Sequence, residues 1–371
     1  MDQKLGPALT VRKGVCHALF AYDVGLSIEL EEADRRITAI KERGSFRHKL
    51  RAPQYLGYRP APLRVTQDAA PITVAGYSTS PSIEMVLYDF GALSVSYKIS
   101  LQGPFSGLLA LSEALYENRQ LLADSRERVE QLLTTILPAV ERSTIACDVE
   151  DYLIFDLEDC PAEAGIAIWR SQDQALAQIL RCERSPLSDQ EVKDAISYRI
   201  SFGPDDAAII DWNATLLFGR DMEDVRSVLE FANVELLEMR LLDHQLDAVL
   251  DQAYAALSKG PHKSWMRFRL PGSFEANSTR IAQLQVDSAI LFERVTNTLK
   301  LLGDQYLARV YRLVSQRFHL ESWDASITRK LHTLDSIYGK MTDRAAAQRM
   351  EALEWIIIIL IALSIAVSFH P

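Results

Sequence analysis

The sequence is poor in the residues that most often announce chemistry. Its 371 residues include 4 cysteines and 7 histidines. Cys16, Cys147, Cys160 and Cys182 form no CxxC pair, and His17 beside Cys16 has no further ligand at metal spacing. Thiols scattered in this way predict reduced side chains packed as small hydrophobes, not a disulfide framework or a zinc ribbon. No GxxxxGK[ST], GxGxxG, HExxH or GxSxG string occurs, which removes the signatures of P-loop, dinucleotide-binding, zincin and nucleophile-elbow enzymes. Positive charge is also scarce. Lys and Arg number 40 against 50 Asp and Glu, giving a net charge of −10. That balance excludes a surface coated in basic residues for nucleic acid. The start, MDQKLGPALTVRKG, lacks the apolar core of a signal peptide and the Arg/Ser-rich bias of a transit peptide.

What is present is ordinary material for a folded chain. Hydrophobic residues make up 48%, charged residues 24%, and the mean hydropathy is −0.03. These values exclude a disordered chain and a polytopic membrane protein, and the length suggests more than one domain. Residues 1–218 alternate period-two segments with short helices. Strands are expected at Val15–Tyr22, Leu63–Thr66, Ile83–Tyr88, Ala92–Ile99, Tyr152–Leu157 and Ala207–Phe218, with Gly91 of DFGAL at a turn. Helices are expected at Ile28–Arg43, Phe105–Tyr116, Leu121–Leu137 and Gln172–Cys182. The mixture predicts an α+β head of ferredoxin-like type.

Residues 219–354 follow a helical period. Val225, Leu229, Ala232, Leu236, Met239, Asp243, Leu246, Leu250, Ala253 and Leu257 alternate spacings of four and three, the seam of a coiled coil. Asp243 within it either sets register or reaches solvent at a gap. A second helix is expected over 277–318, with a stutter near Leu302. A third starts after Ser322 and keeps the four-three rhythm from Ile327 to Trp355. Short connections favour an antiparallel stalk.

The stretch joining the first two helices interleaves Lys259, Lys263, Arg267 and Arg269 with Trp265 and Phe268. It suits a membrane-surface contact, a solvated loop or an RNA contact. An anionic lipid surface would attract such a segment by about 1 kcal/mol per basic residue.

One long hydrophobic run exists, from Trp355 through Ile356, Ile357, Ile358, Ile359 and Leu360 to Phe369, without a charge. The run has no polar face, aromatic residues bracket it, and Lys340, Arg344 and Arg349 precede it with no basic residue after it. These features predict a transmembrane anchor over 355–371, single-pass in the inner cell membrane, with the body on the cytoplasmic side. A helix buried in an oligomer core is the other reading of the same run.

Acidic groups offer the only enzymatic reading. Asp156, Glu158 and Asp159 lie in FDLEDC, and Asp205, Asp206 and Asp211 lie in GPDDAAIIDW. Asp156 and Glu158 share one strand face, so either a metal or general-base pair or two solvated strand-end acids fits.

Several strings resemble a known family. LEWIIIILIA (Leu353–Ala362), the KLHTLDSIYGKMTDRAAAQRMEA before it, YLARVYRLVSQRFHLESWDASITRKL, YDFGALSVSY and ISFGPDDAAIIDWNATLLFG are similar to the required-for-meiotic-nuclear-division family. The resemblance spans Ile83–Phe369, and Leu363 and Ser364 stand where several members carry an acid. It implies a membrane-anchored, non-enzymatic protein of bacterial type, whose mitochondrial relative supports translation as a ribosome tether. The expected function is a tail-anchored scaffold whose head recruits a protein or ribosomal partner. Membrane lipid, a second copy of the chain and ribosome or RNA complete the expected partners, with no cofactor. The alternative is a membrane-tethered enzyme with a metal or nucleotide site in the acidic head.

Overall fold

The computed structural model describes residues 10–37, 40–43, 61–159, 172–203, 206–258, 286 and 305–368. The chain divides into two compact units. One comprises Met1–Leu241 with Ile290–Ser322, the other Leu242–Ala289 with Trp323–Pro371.

The first unit is built on one large mixed sheet. Its strands are β1 (Thr10–Asp23), β3 (Ile40–Arg43), β4 (Leu63–Asp68), β6 (Tyr77–Leu87), β7 (Ala92–Pro104), β9 (Val149–Asp159), β10 (Arg199–Ile200), β11 (Ala207–Ile210) and β12 (Ala214–Phe218). They lie in the order β10-β11-β12-β9-β1-β7-β6-β4-β3, with β5 (Thr73–Val74) pairing off that path with β6. A separate ribbon joins β2 (Ser27–Ile28) to β8 (Val140–Glu141). Every pairing is antiparallel except β12 on β9. The helices are α1 (Leu30–Arg36), α2 (Gly107–Leu115), α3 (Arg119–Ile136), α4 (Asp173–Arg181), α5 (Asp189–Ala195), α6 (Glu223–Ser258), α7 (Gln305–Arg317) and α8 (Leu320–Ser368).

Side-chain alternation gives the sheet two different faces. Cys16, Ala18, Phe20 and Tyr22 of β1 share one face with Met85, Val95, Tyr97, Ile99 and Phe155. That face packs with Leu108, Leu111, Val129, Leu132, Leu176 and Leu180 of α2, α3 and α4. Each such side chain contributes about 1.5–3 kcal/mol by leaving water. The Tyr22 hydroxyl lies 2.5 Å from Ser125 Oγ, and the Tyr97 hydroxyl donates to Asp124 at 2.5 Å, so both deep phenols keep a partner. Caps begin the helices where polar side chains can reach back. Asn118 accepts from the Leu121 amide ahead of α3, and Ser188 accepts from the Glu191 amide ahead of α5.

Two local differences from the sequence reading have physical causes. The helix expected over Ile28–Arg43 ends at Arg36, where the β-branched Ile37 turns extended and the chain enters β3. The strand expected over Ala207–Phe218 is a hairpin, because Asp211 Oδ1 accepts from the Trp212 amide and folds the chain between β11 and β12. The β6–β7 hairpin turns at Gly91 as expected, with φ +93°.

The opposite face of the sheet carries His17, Leu19, Glu84, Ser94, Ser96, Lys98, Tyr152 and Asp156, and α6 covers it. Every residue of α6 from Val225 to Leu237 is buried. A helix enclosed on all sides is a core element. The four-three seam of Leu229 and Leu236 is therefore part of the head's interior, not the outer surface of a free stalk. α7 belongs to the same unit: the Tyr311 hydroxyl donates to Glu235 at 2.6 Å, and Phe318 beyond its end meets Tyr152 edge-on at 5.2 Å.

In the second unit, Asp243 is 7% exposed and bonded from α8 by Lys330 Nζ at 2.8 Å and Ser326 Oγ at 3.1 Å. Lys330 also reaches Asp247 at 2.6 Å. Leu246, Val249 and Ala253 of α6 and Ile327, Leu334, Ile337 and Tyr338 of α8 are buried.

The expected fold class needs correction. In place of a ferredoxin-like α+β head on an antiparallel stalk with a C-terminal transmembrane helix, the chain forms a mixed sheet of nine consecutive strands with helices on both faces. Among the described residues no helix is long and apolar enough to cross a membrane. The physical reason is length. The uncharged stretch covers roughly 22 Å at about 1.5 Å per residue, against a hydrocarbon core of ~30 Å. The remainder of α8 carries charges such as Lys330, Asp335 and Lys340. The tail-anchored, single-pass reading and the inner-membrane location that rested on it fall with this finding.

Candidate functional site

The acidic residues that suggested chemistry do not converge. Asp156 stands opposite Leu217 of β12, whereas Asp211 precedes Ala214, which stands opposite Leu153. About three residues of strand, on the order of 10 Å, separate the two rows. Glu158 shares the Asp156 face and pairs with Lys13. Burial pushes the Asp156 carboxyl up to about 6, with Glu158 adding to the rise and Arg226 and Lys13 opposing it. Asp206 is consumed locally, accepting from the Phe202 amide at 2.7 Å and the Gly203 amide at 3.0 Å. Among the described residues no three His, Cys, Asp or Glu side chains gather as a metal ion requires.

Asp211 is fully buried and serves as a hub of ion pairs. Its Oδ2 accepts from Arg181 Nε at 2.9 Å and its Oδ1 from Arg317 Nε at 2.6 Å. Both guanidinium groups also bind Asp194, at 2.6 and 2.8 Å, and Arg181 pairs with Glu191. Arg317 in turn holds the Asp194 carboxyl below its usual range. Its guanidinium lies 5.0 Å from the Tyr198 ring, and the Tyr152 hydroxyl donates to the Asp211 carbonyl at 2.8 Å. Charges paired in this way fix α4, α5 and α7 to the sheet end and engage both oxygens of Asp211 with arginine.

A second ionic layer, absent from the sequence reading, lies under α6. Arg64 pairs with Glu84, which Lys98 also reaches at 2.9 Å. Arg64 donates to Ser227 at 3.2 Å, and Ser94 donates to Glu230 at 2.8 Å. Arg64 and Arg226 approach the other oxygen of Glu230 at 3.8 and 3.9 Å. Burial works against ionisation of Glu84, yet Arg226, Arg64 and Lys98 bring its carboxyl down to about 2. His17 is held neutral, well below its usual value, first by burial and then by Arg226 and Lys98. Within the layer His17 Nδ1, Ser96 Oγ, Arg226 Nη1 and Glu230 Oε2 make no hydrogen bond among the described residues. The signal for this layer was legible in part. Arg226 and Glu230 stand four apart in the mostly apolar stretch VRSVLEFANVELL, a spacing that puts them on one side of the helix.

Two concavities among the described residues bear on the search for a ligand site. One of about 250 Å³ is lined by Phe20, Glu117, Asn118, Arg119, Leu122 and Asp151, small for a drug-sized ligand. The other, about 900 Å³, is an open cleft in the second unit between Tyr254 and the α8 residues Arg329, His332 and Lys340.

The remaining expected site residues fall into three groups. Leu229 and Leu236 are buried, Leu250 is half-buried, and the Leu257 side chain lies outside the described residues. Lys259, Lys263, Trp265, Arg267, Phe268, Arg269 and Phe369 also lie outside them. The third group is exposed. Trp355 is 59% exposed, Ile356, Ile357, Ile358 and Ile359 between 52% and 59%, and Leu360 59%. Ile361 and Ile365 continue the run at 54% and 52%. With no membrane-crossing helix among the described residues, lipid held through this helix is withdrawn as a partner. Among the described residues, these side chains form an uninterrupted run of exposed large hydrophobics from Trp355 to Ile361.

Comparison with known proteins places the chain in context. Residues 13–224 match the family model described as "Uncharacterized protein MJ0711, N-terminal domain", a stretch that takes in nearly all of β1 and every later strand. The chain is 23% identical over 257 residues to the "Uncharacterized protein MJ0711" of Methanocaldococcus jannaschii, covering 68% of this chain and 76% of that protein. No solved structure matches.

Proposed function

We propose, for a chain that belongs to the MJ0711 N-terminal-domain family, that the protein is a scaffold without catalytic chemistry of its own. A packed head is joined to a helical unit whose apolar end docks a protein partner. The observation that carries this reading is the uncovered run from Trp355 to Ile361 on α8, each side chain more than half exposed. Exposed apolar patches beyond a few hundred Å² mark interaction sites on folded proteins. The head supports the same reading, because its buried acids are bound to arginines that tie helices to the sheet.

The finer likeness to the required-for-meiotic-nuclear-division family belongs to this proposal. Its strings fall on the β6–β7 hairpin, the β11–β12 hairpin and α7–α8. The translation-supporting role it implies makes the ribosome the partner to examine first. The test is cross-linking and affinity purification of the tagged full chain beside a variant ending at Met350. A stoichiometric protein or ribosomal partner retained by the full chain and lost by the variant is the expected result. A partner bound equally by both would remove the docking role from the end of α8.

A further inference from the structure

The first unit holds a concavity that sets both signs of charge against an apolar wall. Phe20 of β1 pairs with Asp151 of β9, and Tyr22 with Val149, so these side chains share the helix-covered face of the sheet. Between the end of α2 and the start of α3 that face holds a space of about 250 Å³. It is walled by Phe20, Leu122 and Val149 and rimmed by Glu117, Arg119 and Asp151. The volume falls below the roughly 300 Å³ at which sites for drug-sized ligands begin, and suits one free amino acid. Asn118 at the same edge is spent on the cap of α3, accepting from the Leu121 amide and donating to the Ala114 carbonyl at 2.7 Å. The charged rim groups are not spent in this way. Burial pushes the Asp151 carboxyl above its usual range, its own amide opposes the rise and Glu117 adds to it; no arginine or lysine offsets it. Arg119 forms no ion pair among the described residues.

We infer that this pocket binds a small aliphatic α-amino acid as its zwitterion. The ligand's ammonium meets Asp151 and Glu117, its carboxylate meets Arg119, and its hydrocarbon side chain lies against Phe20, Leu122 and Val149. Three features set this class. A partly buried carboxyl without a cation is favoured as the anion by a ligand that brings one. A guanidinium recognises a carboxylate through two parallel donors. The apolar wall rewards a hydrocarbon side chain, as the walls of small-molecule sites generally do. A plain amine leaves Arg119 unmatched, and a plain carboxylate meets Asp151 and Glu117 as like charges. The site lies wholly within the first unit and owes nothing to the docking role of α8.

The experiment is isothermal titration calorimetry of the purified full chain at pH 7. The probes are L-valine, L-leucine, N-acetyl-L-leucine, which lacks the ammonium, and 3-methylbutylamine, which lacks the carboxylate. The expected result is saturable binding of L-valine or L-leucine, with both blocked probes at least about tenfold weaker. Asp151→Asn is expected to abolish the amino-acid signal. The same variant without ligand should melt no lower than the parent, because a buried carboxylate lacking a cation has been removed. That pairing of lost binding with retained stability separates a binding role from a structural one. Arg119→Gln, at an exposed position, should weaken the amino acid about tenfold and leave 3-methylbutylamine unchanged. Failure of both L-valine and L-leucine to bind at millimolar concentration overturns the proposal. So does 3-methylbutylamine binding as tightly as L-leucine, and so does an amino-acid signal that survives in both variants.

Discussion

Arg317 donates to Asp211 at 2.6 Å across 106 positions of sequence, and Arg181 completes the carboxylate from the other side at 2.9 Å. Asp211 is fully buried while Arg181 and Arg317 are only slightly exposed, so the pair is held where water cannot substitute for a lost partner. Asp211→Ala would leave two guanidinium groups without their shared anion. Removing one member of a buried pair costs about 3–5 kcal/mol. Urea unfolding should show a midpoint shift of that size with the slope unchanged. Asp211→Asn keeps an acceptor and should cost less than the alanine variant. If both variants unfold with the parent, the hub does not hold α4 and α7 to the sheet.

Asp156 predicts a pH dependence with a definite sign. Its carboxyl rises from 3.8 to about 6 in the folded chain, chiefly through burial and then through Glu158. The folded chain therefore retains a proton that the unfolded chain releases. On this group's account stability is fully present below pH 3.8 and is lost as the pH rises through about 6. Asp156→Asn stays neutral throughout. Its melting temperature should match the parent near pH 4 and exceed it above pH 7, by the equivalent of about 1–3 kcal/mol. His17 titrates with the opposite sign but is common to both proteins, so the difference isolates Asp156. A variant less stable than the parent at pH 8 would show that the ionised carboxylate is wanted where it sits.

Gly91 supplies a backbone prediction. Its φ is +93°, and a Cβ there would stand 1.8 Å from the Gly25 carbonyl oxygen. That oxygen belongs to backbone, and the Gly91 carbonyl accepts from the Val24 amide at 2.9 Å, so neither strand can yield cheaply. Gly91→Ala should cost more than the ~1 kcal/mol typical of an exposed glycine replacement, through both strain and clash. Calorimetry of the purified variant checks it. A melting temperature within a degree of the parent's would refute the close approach.

How far the fold was readable follows from the range of the forces involved. The β6–β7 hairpin was legible because DFGAL places a glycine between two period-two runs, a purely local signal. The period of α6 was legible for the same reason. Its burial was not, since enclosure from Val225 to Leu237 depends on strands more than a hundred residues earlier. Arg226 and Glu230 of α6 form a buried layer with Arg64 and Ser94, partners that lie on strands more than a hundred positions away. Asp211 appeared as one acid of a cluster because its partners, Arg181 and Arg317, lie 30 and 106 positions away. The tail misled in another way. Hydrophobicity without charge was taken for a span, although about fifteen residues fall short of a bilayer core of ~30 Å.

Asp243 gives the last prediction, and it concerns the second unit alone. Seam positions are expected to be apolar, yet this one holds a carboxylate 7% exposed, bridged by Lys330 and Ser326 of α8. Burial disfavours the Lys330 charge, but its bonds to Asp243 and Asp247 outweigh that and raise its pKa. An ionic pair within a hydrophobic seam contributes little net stability and restricts which register the helices adopt. A double-mutant cycle separates the two effects. Asp243→Ala and Lys330→Ala should each destabilise, and their coupling should be about 0.5–3 kcal/mol. Asp243→Leu with Lys330→Leu should be as stable as the parent or more so, since two leucines pack where two charges had to be desolvated. The register role then appears in a second measurement. A series of single cysteine pairs, one on α6 at or beside exposed Gln245 and one on α8 at or beside exposed Arg329, should cross-link at more of its pairings in the leucine variant than in the parent. An unchanged cross-linking pattern in that variant would mean the apolar residues alone set the register and Asp243 does not.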